Sequence, residues 1–115
     1  GKYYAGIIAY LGTNGLLKNI YSTGTITNSQ SYYSYAGGLV GYSLGIIESS
    51  YSTCTVTSNS SILYAYAGGL VGYLEGTIKH SFATGSVTAE GGNNTYSKNG
   101  ILAGDISDKG IITES

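Results

Sequence analysis

Apolar side chains in this sequence fall in short runs that recur at a fixed spacing. Leu17, Ile47 and Ile78 form one column, and Ile26, Val56 and Val87 form another, with Gly24, Cys54 and Gly85 two positions before it. Around the second column apolar and hydroxyl residues alternate, the period-2 signature of a strand with one buried face. The string YAGGLVGY stands at residues 35–42 and again at 66–73, and 66 − 35 = 31 residues separate the copies. Anchored on Gly45 and Gly76, the two copies stay in register without a gap through Thr57 and Thr88. An earlier copy fits with Gly15 as anchor and two extra residues near Thr13-Asn14. A fourth starts at Gly100, restarts at Gly110 and stops short. The expected division of the single domain 1–115 is 5–32, 33–63, 64–95 and a partial unit 96–115.

Each unit offers three strand-sized runs, 37–42, 45–51 and 53–57 in the second copy, divided by Gly or Ser-Asn clusters. The fold class expected is all-β, a parallel β-solenoid (β-helix) of three to four rungs with about 31 residues and three short strands per rung. Parity places Ile26, Val56 and Val87, together with Gly24, Cys54 and Gly85, inside. It also places Leu17, Ile47 and Ile78 inside, with opposite parity, so a corner is expected near residues 19–22. Lys18, Glu48 and Lys79 then face outward in alternating sign, which favours this register. For the first run both parities are apolar, so either Leu39 or Val40 with Tyr42 fits the core.

Composition agrees with strands. The chain holds 19 Gly and 13 Tyr, and its charged fraction is 10% with a formal net charge of −1. That balance gives no electrostatic case for nucleic acid or an anionic membrane, and no apolar run approaches the length of a membrane span. Without any Met, the chain is expected to be a processed product or an excised fragment. Cys54, the only cysteine, is expected as a small buried residue, and no disulfide can form within one chain.

The string GGLVGY followed by GTIKHSFATGSVT resembles the GLUG repeat of bacterial surface proteins. The resemblance covers residues 37–57 and 68–88 well and 6–27 more loosely. It implies an extracellular, non-catalytic repeat region of an adhesin-like protein on the bacterial surface, with no family active site to carry over and no ligand identified. The scarcity of cysteine fits that setting.

Residues with chemical potential are few. His80 is unrepeated and has no second histidine nearby, so a corner position suits it better than a metal. Glu48, Glu75 and Glu90 fall in different columns, whereas acid–base cleavage needs two convergent carboxylates. Asp105, Asp108 and Glu114 lie in the divergent last unit, as surface charges of a capping rung, and Asp105-x-x-Asp108 lacks the acidic nonapeptide series of calcium-binding repeats. Glycines 37, 38, 41 and 45 recur in each copy and read as turns and not as a phosphate loop. No catalytic residue, cofactor or metal is therefore expected. Two surfaces stand out. One is the outward array Thr23, Thr25, Thr27, Thr53, Thr55, Thr57, Thr84, Ser86 and Thr88, an uncharged hydroxyl lattice of the kind ordered water or ice can match. The other is the tyrosine-rich segment before the glycine string, with Tyr32, Tyr33, Tyr35, Tyr64 and Tyr66 as loop contacts for a host glycan or protein. Tyr21, Tyr51 and Phe82 are expected to stack as a ladder. Asn59-Ser60-Ser61 and Asn93-Asn94-Thr95 match glycosylation acceptors in loops. Unpaired rung edges suggest either end-to-end stacking of copies of this chain, as a self-assembling subunit of an extracellular fibre, or contact with adjoining repeats of a longer chain.

Overall fold

A computed structural model describes residues 2–61, 63–91 and 96–113. Among them are eighteen short strands and no helix. The first rung holds β1 (Lys2–Ala5), β2 (Ile8–Leu11), β3 (Leu16–Lys18), β4 (Tyr21–Ser22) and β5 (Thr25–Gln30). The second holds β6 (Tyr33–Gly37), β7 (Val40–Ser43), β8 (Ile46–Glu48), β9 (Tyr51–Ser52) and β10 (Thr55–Ser60). The third holds β11 (Tyr64–Gly68), β12 (Val71–Leu74), β13 (Thr77–Lys79), β14 (Phe82–Ala83) and β15 (Val87–Gly91). In the fourth are β16 (Tyr96–Gly100), β17 (Ala103–Ile106) and β18 (Ile111–Thr113).

Each strand pairs in parallel with its counterpart in the next rung, giving five sheets: β1-β6-β11-β16, β2-β7-β12-β17, β3-β8-β13-β18, β4-β9-β14 and β5-β10-β15. The chain is a parallel β-solenoid. A full rung has five strands where three were expected, for three local reasons. The run 37–42 bends at Gly38-Leu39, so both Leu39 and Val40 reach full burial, and both of their N–H groups donate to Leu70 O, at 2.9 and 3.0 Å. The open question of which parity faces the core thus resolves into a corner between the two residues. The run 45–51 is broken by a residue with left-handed backbone: Ser49 has φ 50°, and its equivalents Asn19 and His80 have φ 57° and 48°. That corner falls where the change of parity put it. Finally, 33–37 is not a loop but the strand β6, whose copy is β11.

The interior has two compartments. The larger holds Leu11, Leu17, Leu39, Val40, Ile47, Leu70, Val71, Leu74 and Ile78. A smaller one, between the first and fifth sheets, holds Ala36, Cys54, Val56 and Ala67, with Ile26, Val87 and Ala89 packed against it. They meet at a waist so narrow that a Cβ on Gly38 would overlap Ser52, and one on Gly69 would lie 2.6 Å from Ala83 Cβ. Serines occupy the remaining interior. The Ser34 and Ser58 hydroxyls lie 2.7 Å apart, Ser58 Oγ donates to Ser34 O at 2.8 Å, and Ser22 Oγ donates to Gly38 O at 2.7 Å.

Cys54 is buried, as its column required, with its thiol 3.3 Å from Ser22 Oγ. Gly24 and Gly85 are not. Both are exposed, in the first and third rungs that bound the fifth sheet, and take φ of 108° and 110°, a conformation open to glycine and avoided by Cys54. Leu17, Ile47 and Ile78 point inward as the pattern indicated. Lys18, Glu48 and Lys79 pair in register, and Lys18 Nζ lies 3.8 Å from Glu48 Oε2.

Candidate functional site

The hydroxyl residues of the third predicted run stack in register between rungs. Thr25 pairs with Thr55, and Thr27, Thr57 and Thr88 pair across three rungs. The Thr53 N–H donates to Ser22 O at 2.9 Å, Thr84 N–H to Ser52 O at 2.8 Å and Val56 N–H to Ser86 O at 2.8 Å, which holds the remaining columns level. Thr23, Thr25, Thr27, Thr53, Thr55, Thr84 and Ser86 are exposed, whereas Thr57 and Thr88 are half-buried. Parallel strands set the columns about 4.8 Å apart between rungs and about 6.6 to 6.8 Å apart along a strand. One border is the ladder Tyr21–Tyr51–Phe82, with ring centroids 5.3 and 4.8 Å apart and planes within 11° and 1°. At the other border lie Ser29, Asn59 and Glu90, which with Gln30, Ser31 and Ser61 line an open polar depression of about 540 Å³.

The tyrosines expected in a loop are placed differently. Only Tyr32 lies outside the strands, and it is exposed. Tyr33 and Tyr35 are in β6, Tyr64 and Tyr66 in β11, and Tyr35 and Tyr66 retain 5% and 9% of their surface. Tyr33 stacks on Tyr64 at 5.2 Å, and Tyr35 and Tyr66 belong to a double ladder not expected from the sequence. Tyr4, Tyr35 and Tyr66 stack at 5.2 and 5.1 Å. Tyr10, Tyr42 and Tyr73 stack at 5.5 and 5.0 Å. The two columns meet edge to face where the first sheet turns into the second, for example Tyr35 against Tyr42 at 5.6 Å and Tyr66 against Tyr73 at 5.8 Å. Such offset and edge contacts suit the ring quadrupole. The signal was present as Tyr recurring at 4, 35 and 66 and at 10, 42 and 73.

In the fourth rung the register continues these columns with Lys98 above Tyr66 and Asp105 above Tyr73. Lys98 Nζ and Asp105 Oδ1 are 3.1 Å apart, so an ion pair closes the double ladder. Tyr42 OH donates to Glu75 Oε1 at 2.6 Å. Burial pushes the Tyr35 phenol well above the usual tyrosine range, with neighbouring phenols adding to the shift. Burial, then the Glu75 carboxylate that accepts its proton in a hydrogen bond, does the same for Tyr42. Tyr4 and Tyr73 are raised too, first by burial, then by Tyr10 and by Asp105 respectively. Because the faces of these rings cover one another, the ladder offers an aromatic plane to a ligand only at its ends.

Glu48, Glu75 and Asp105 are engaged by Lys18, Tyr42 and Lys98, and Asp105, Glu75 and Asp108 all act on the Tyr73 phenol, whereas Glu90 is exposed beside the hydroxyl lattice. Glu114 lies outside the described residues. His80 is exposed at its corner, where its N–H donates to Thr113 O at 3.2 Å. Among the described residues no three His, Cys, Asp or Glu side chains gather as metal ligands, and no helix is long and apolar enough to cross a membrane. Asn59 of the first glycosylation match lies in strand β10 and not in a loop, with its Nδ2 donating to Ser29 Oγ at 3.3 Å. The second match, 93–95, lies outside the described residues.

Stacked parallel rungs, a glycine-lined waist and columns of identical side chains define a repeat protein of the β-solenoid class. The family model of the GLUG motif matches residues 32–57 and 64–88, in the second and third rungs. Neither the comparison with curated proteins nor that with solved structures returned a match.

Proposed function

We propose that this solenoid is a non-catalytic structural and adhesive repeat region of a bacterial extracellular or cell-surface protein, serving as an adhesin stalk or binding module. The observation that carries the reading is the unbroken parallel register of all five sheets, which turns each outward position into a straight row. Rows of neutral hydroxyls beside an aromatic border suit repeated weak contacts with a glycan or a protein surface. A host glycan or matrix protein is the partner this reading calls for. The test is an array of glycans and matrix proteins probed with the intact chain and with Thr55→Lys. Binding by the parent that is lost in the variant supports an adhesive face. An array without any binder leaves only the spacer role.

A second reading rests on the lattice itself. Seven of its nine members are exposed and uncharged, at spacings that ordered water can match. Ice binding then requires thermal hysteresis and faceted crystals from the parent chain, both abolished by Thr55→Lys. A parent without hysteresis ends that reading.

A further inference from the structure

Just past the second sheet, one slot of the repeat changes its chemistry from rung to rung. Leu44, Glu75 and Ser107 occupy it: their N–H groups donate to Leu11 O at 2.8 Å, Ser43 O at 2.8 Å and Leu74 O at 2.9 Å, each in the rung below. Of the three, Glu75 alone carries a charge. Gly76 N–H also donates to Ser43 O, at 3.0 Å, so two backbone bonds fix the turn on which Glu75 stands. Its carboxylate reaches down one rung and accepts from Tyr42 OH at 2.6 Å, a short charge-assisted hydrogen bond.

Tyr42 is also a junction of the double ladder. Tyr10 and Tyr73 cover its two faces, with ring centroids 5.5 and 5.0 Å away, and Tyr4 and Tyr35 meet it edge to face at 5.5 and 5.6 Å. From Tyr35 and Tyr73 the ring contacts run on to Tyr66, and from there to Tyr64. At the margin of the network the Tyr10 side chain is 50% exposed. Phenol rings in contact pass an electron readily from one to the next. A phenol that has lost an electron becomes a strong acid, however, and the loss is reversed unless its proton has somewhere to go. Burial, and after it the Glu75 carboxylate, keeps the Tyr42 proton on its oxygen at neutral pH, so that proton leaves only together with an electron.

We propose that Tyr42 and Glu75 form a redox-active pair, the site at which one-electron oxidation of the solenoid comes to rest. An outer-sphere one-electron oxidant takes an electron at the exposed ring of Tyr10, and Tyr42 replaces it across the stack. As Tyr42 gives up its electron its O–H bond breaks and a new O–H bond forms on Glu75 Oε1. The oxidant is reduced by one electron, and the protein is left with a neutral phenoxyl radical beside a neutral carboxylic acid. Held between the faces of Tyr10 and Tyr73, that radical is kept from the coupling between molecules that consumes a radical on an exposed ring such as Tyr21. The inference goes beyond the reading as a surface repeat region and requires neither a glycan nor a protein partner.

The experiment oxidises the intact chain with photogenerated tris(bipyridine)ruthenium(III), using a cobalt(III) ammine as the sacrificial electron acceptor. The radical is followed by transient absorption and electron paramagnetic resonance, and the carboxyl groups by infrared difference spectroscopy. The parent is expected to give a persistent phenoxyl radical together with conversion of one carboxylate to a carboxylic acid. Glu75→Gln keeps the size of the side chain and an acceptor oxygen but has no carboxylate to protonate. It should abolish the carboxylic acid signal and slow formation of the persistent radical by about a hundredfold, the scale a positioned proton acceptor adds to a rate. Tyr42→Phe, which keeps the ring, should remove the persistent radical, and Glu90→Gln should match the parent. Radical yield and lifetime equal to the parent's in Tyr42→Phe or in Glu75→Gln overturn the proposal. So does a parent whose radical forms with no change in any carboxyl group, a result that depends on no variant's folding.

Discussion

Ser43 is fully buried, and its hydroxyl has no hydrogen-bond partner among the described residues. Its column neighbours are Leu11, Leu74 and Ile106, so a polar atom sits in an apolar stack. Removing an unmet buried hydroxyl relieves its desolvation cost, and Ser43→Ala should raise the unfolding free energy by about 1 kcal/mol in urea titrations. The left-handed corner gives a second prediction at this scale. A non-glycine residue there costs roughly 1–2 kcal/mol, and a β-branched one is worse. Ser49→Val should therefore destabilise by about 1–2 kcal/mol, while Ser49→Gly should be neutral or stabilising by up to about 1 kcal/mol; equal effects of the two would show that the corner is unstrained. Single residues were legible where one column had one environment. Cys54 followed from its apolar slot, and Lys18, Glu48 and Lys79 from alternating sign. Gly24 and Gly85 were not, since a glycine exposed at positive φ and a glycine facing a core are the same letter.

At the scale of elements, the two kinds of aromatic ladder should differ in worth. Tyr35 is enclosed by Tyr4, Tyr42, Tyr66 and Tyr73, whereas Tyr21 keeps 62% of its surface and stacks on Tyr51 alone. Tyr35→Ala should cost about 3 kcal/mol, in the range of other buried aromatic deletions. Tyr21→Ala should cost no more than about 1 kcal/mol, the scale of a cross-strand pair. Similar losses in the two variants would mean that the double ladder is not a packing element. The same ladders show where reading the sequence ran short. Alternation along 53–57 found the hydroxyl face, because one side of that strand is apolar and the other is not. Residues 33–37 are aromatic or small at every position, which hid the strand β6. The corner at Asn19, Ser49 and His80 was legible from the change of parity, whereas the one at Leu39 stayed hidden because both parities of 37–42 are apolar.

For the molecule as a whole, the raised phenols set an alkaline limit. Tyr4, Tyr35, Tyr42 and Tyr73 all hold their protons more tightly than an ordinary tyrosine, with burial as the first cause in each. A group whose pKa is raised on folding stabilises the fold fully below its unfolded value, near 10 for tyrosine, and that contribution is lost as pH rises past it. The urea midpoint should therefore fall steeply above about pH 10, and Tyr35→Phe should flatten the fall while keeping the ring. A midpoint that does not change between pH 9 and 12 would contradict the burial assigned to these rings.

Because strand pairing runs only between adjacent rungs, each rung is held by its neighbours and by nothing more remote. Opening can then begin at either end and advance inward, one rung at a time, as in a linear chain of coupled units. Amide hydrogens of β7, β10 and β12 should exchange last, and those of β2 and β18 first. The protein would show a graded profile of protection along its axis, with its most durable part in the two central turns.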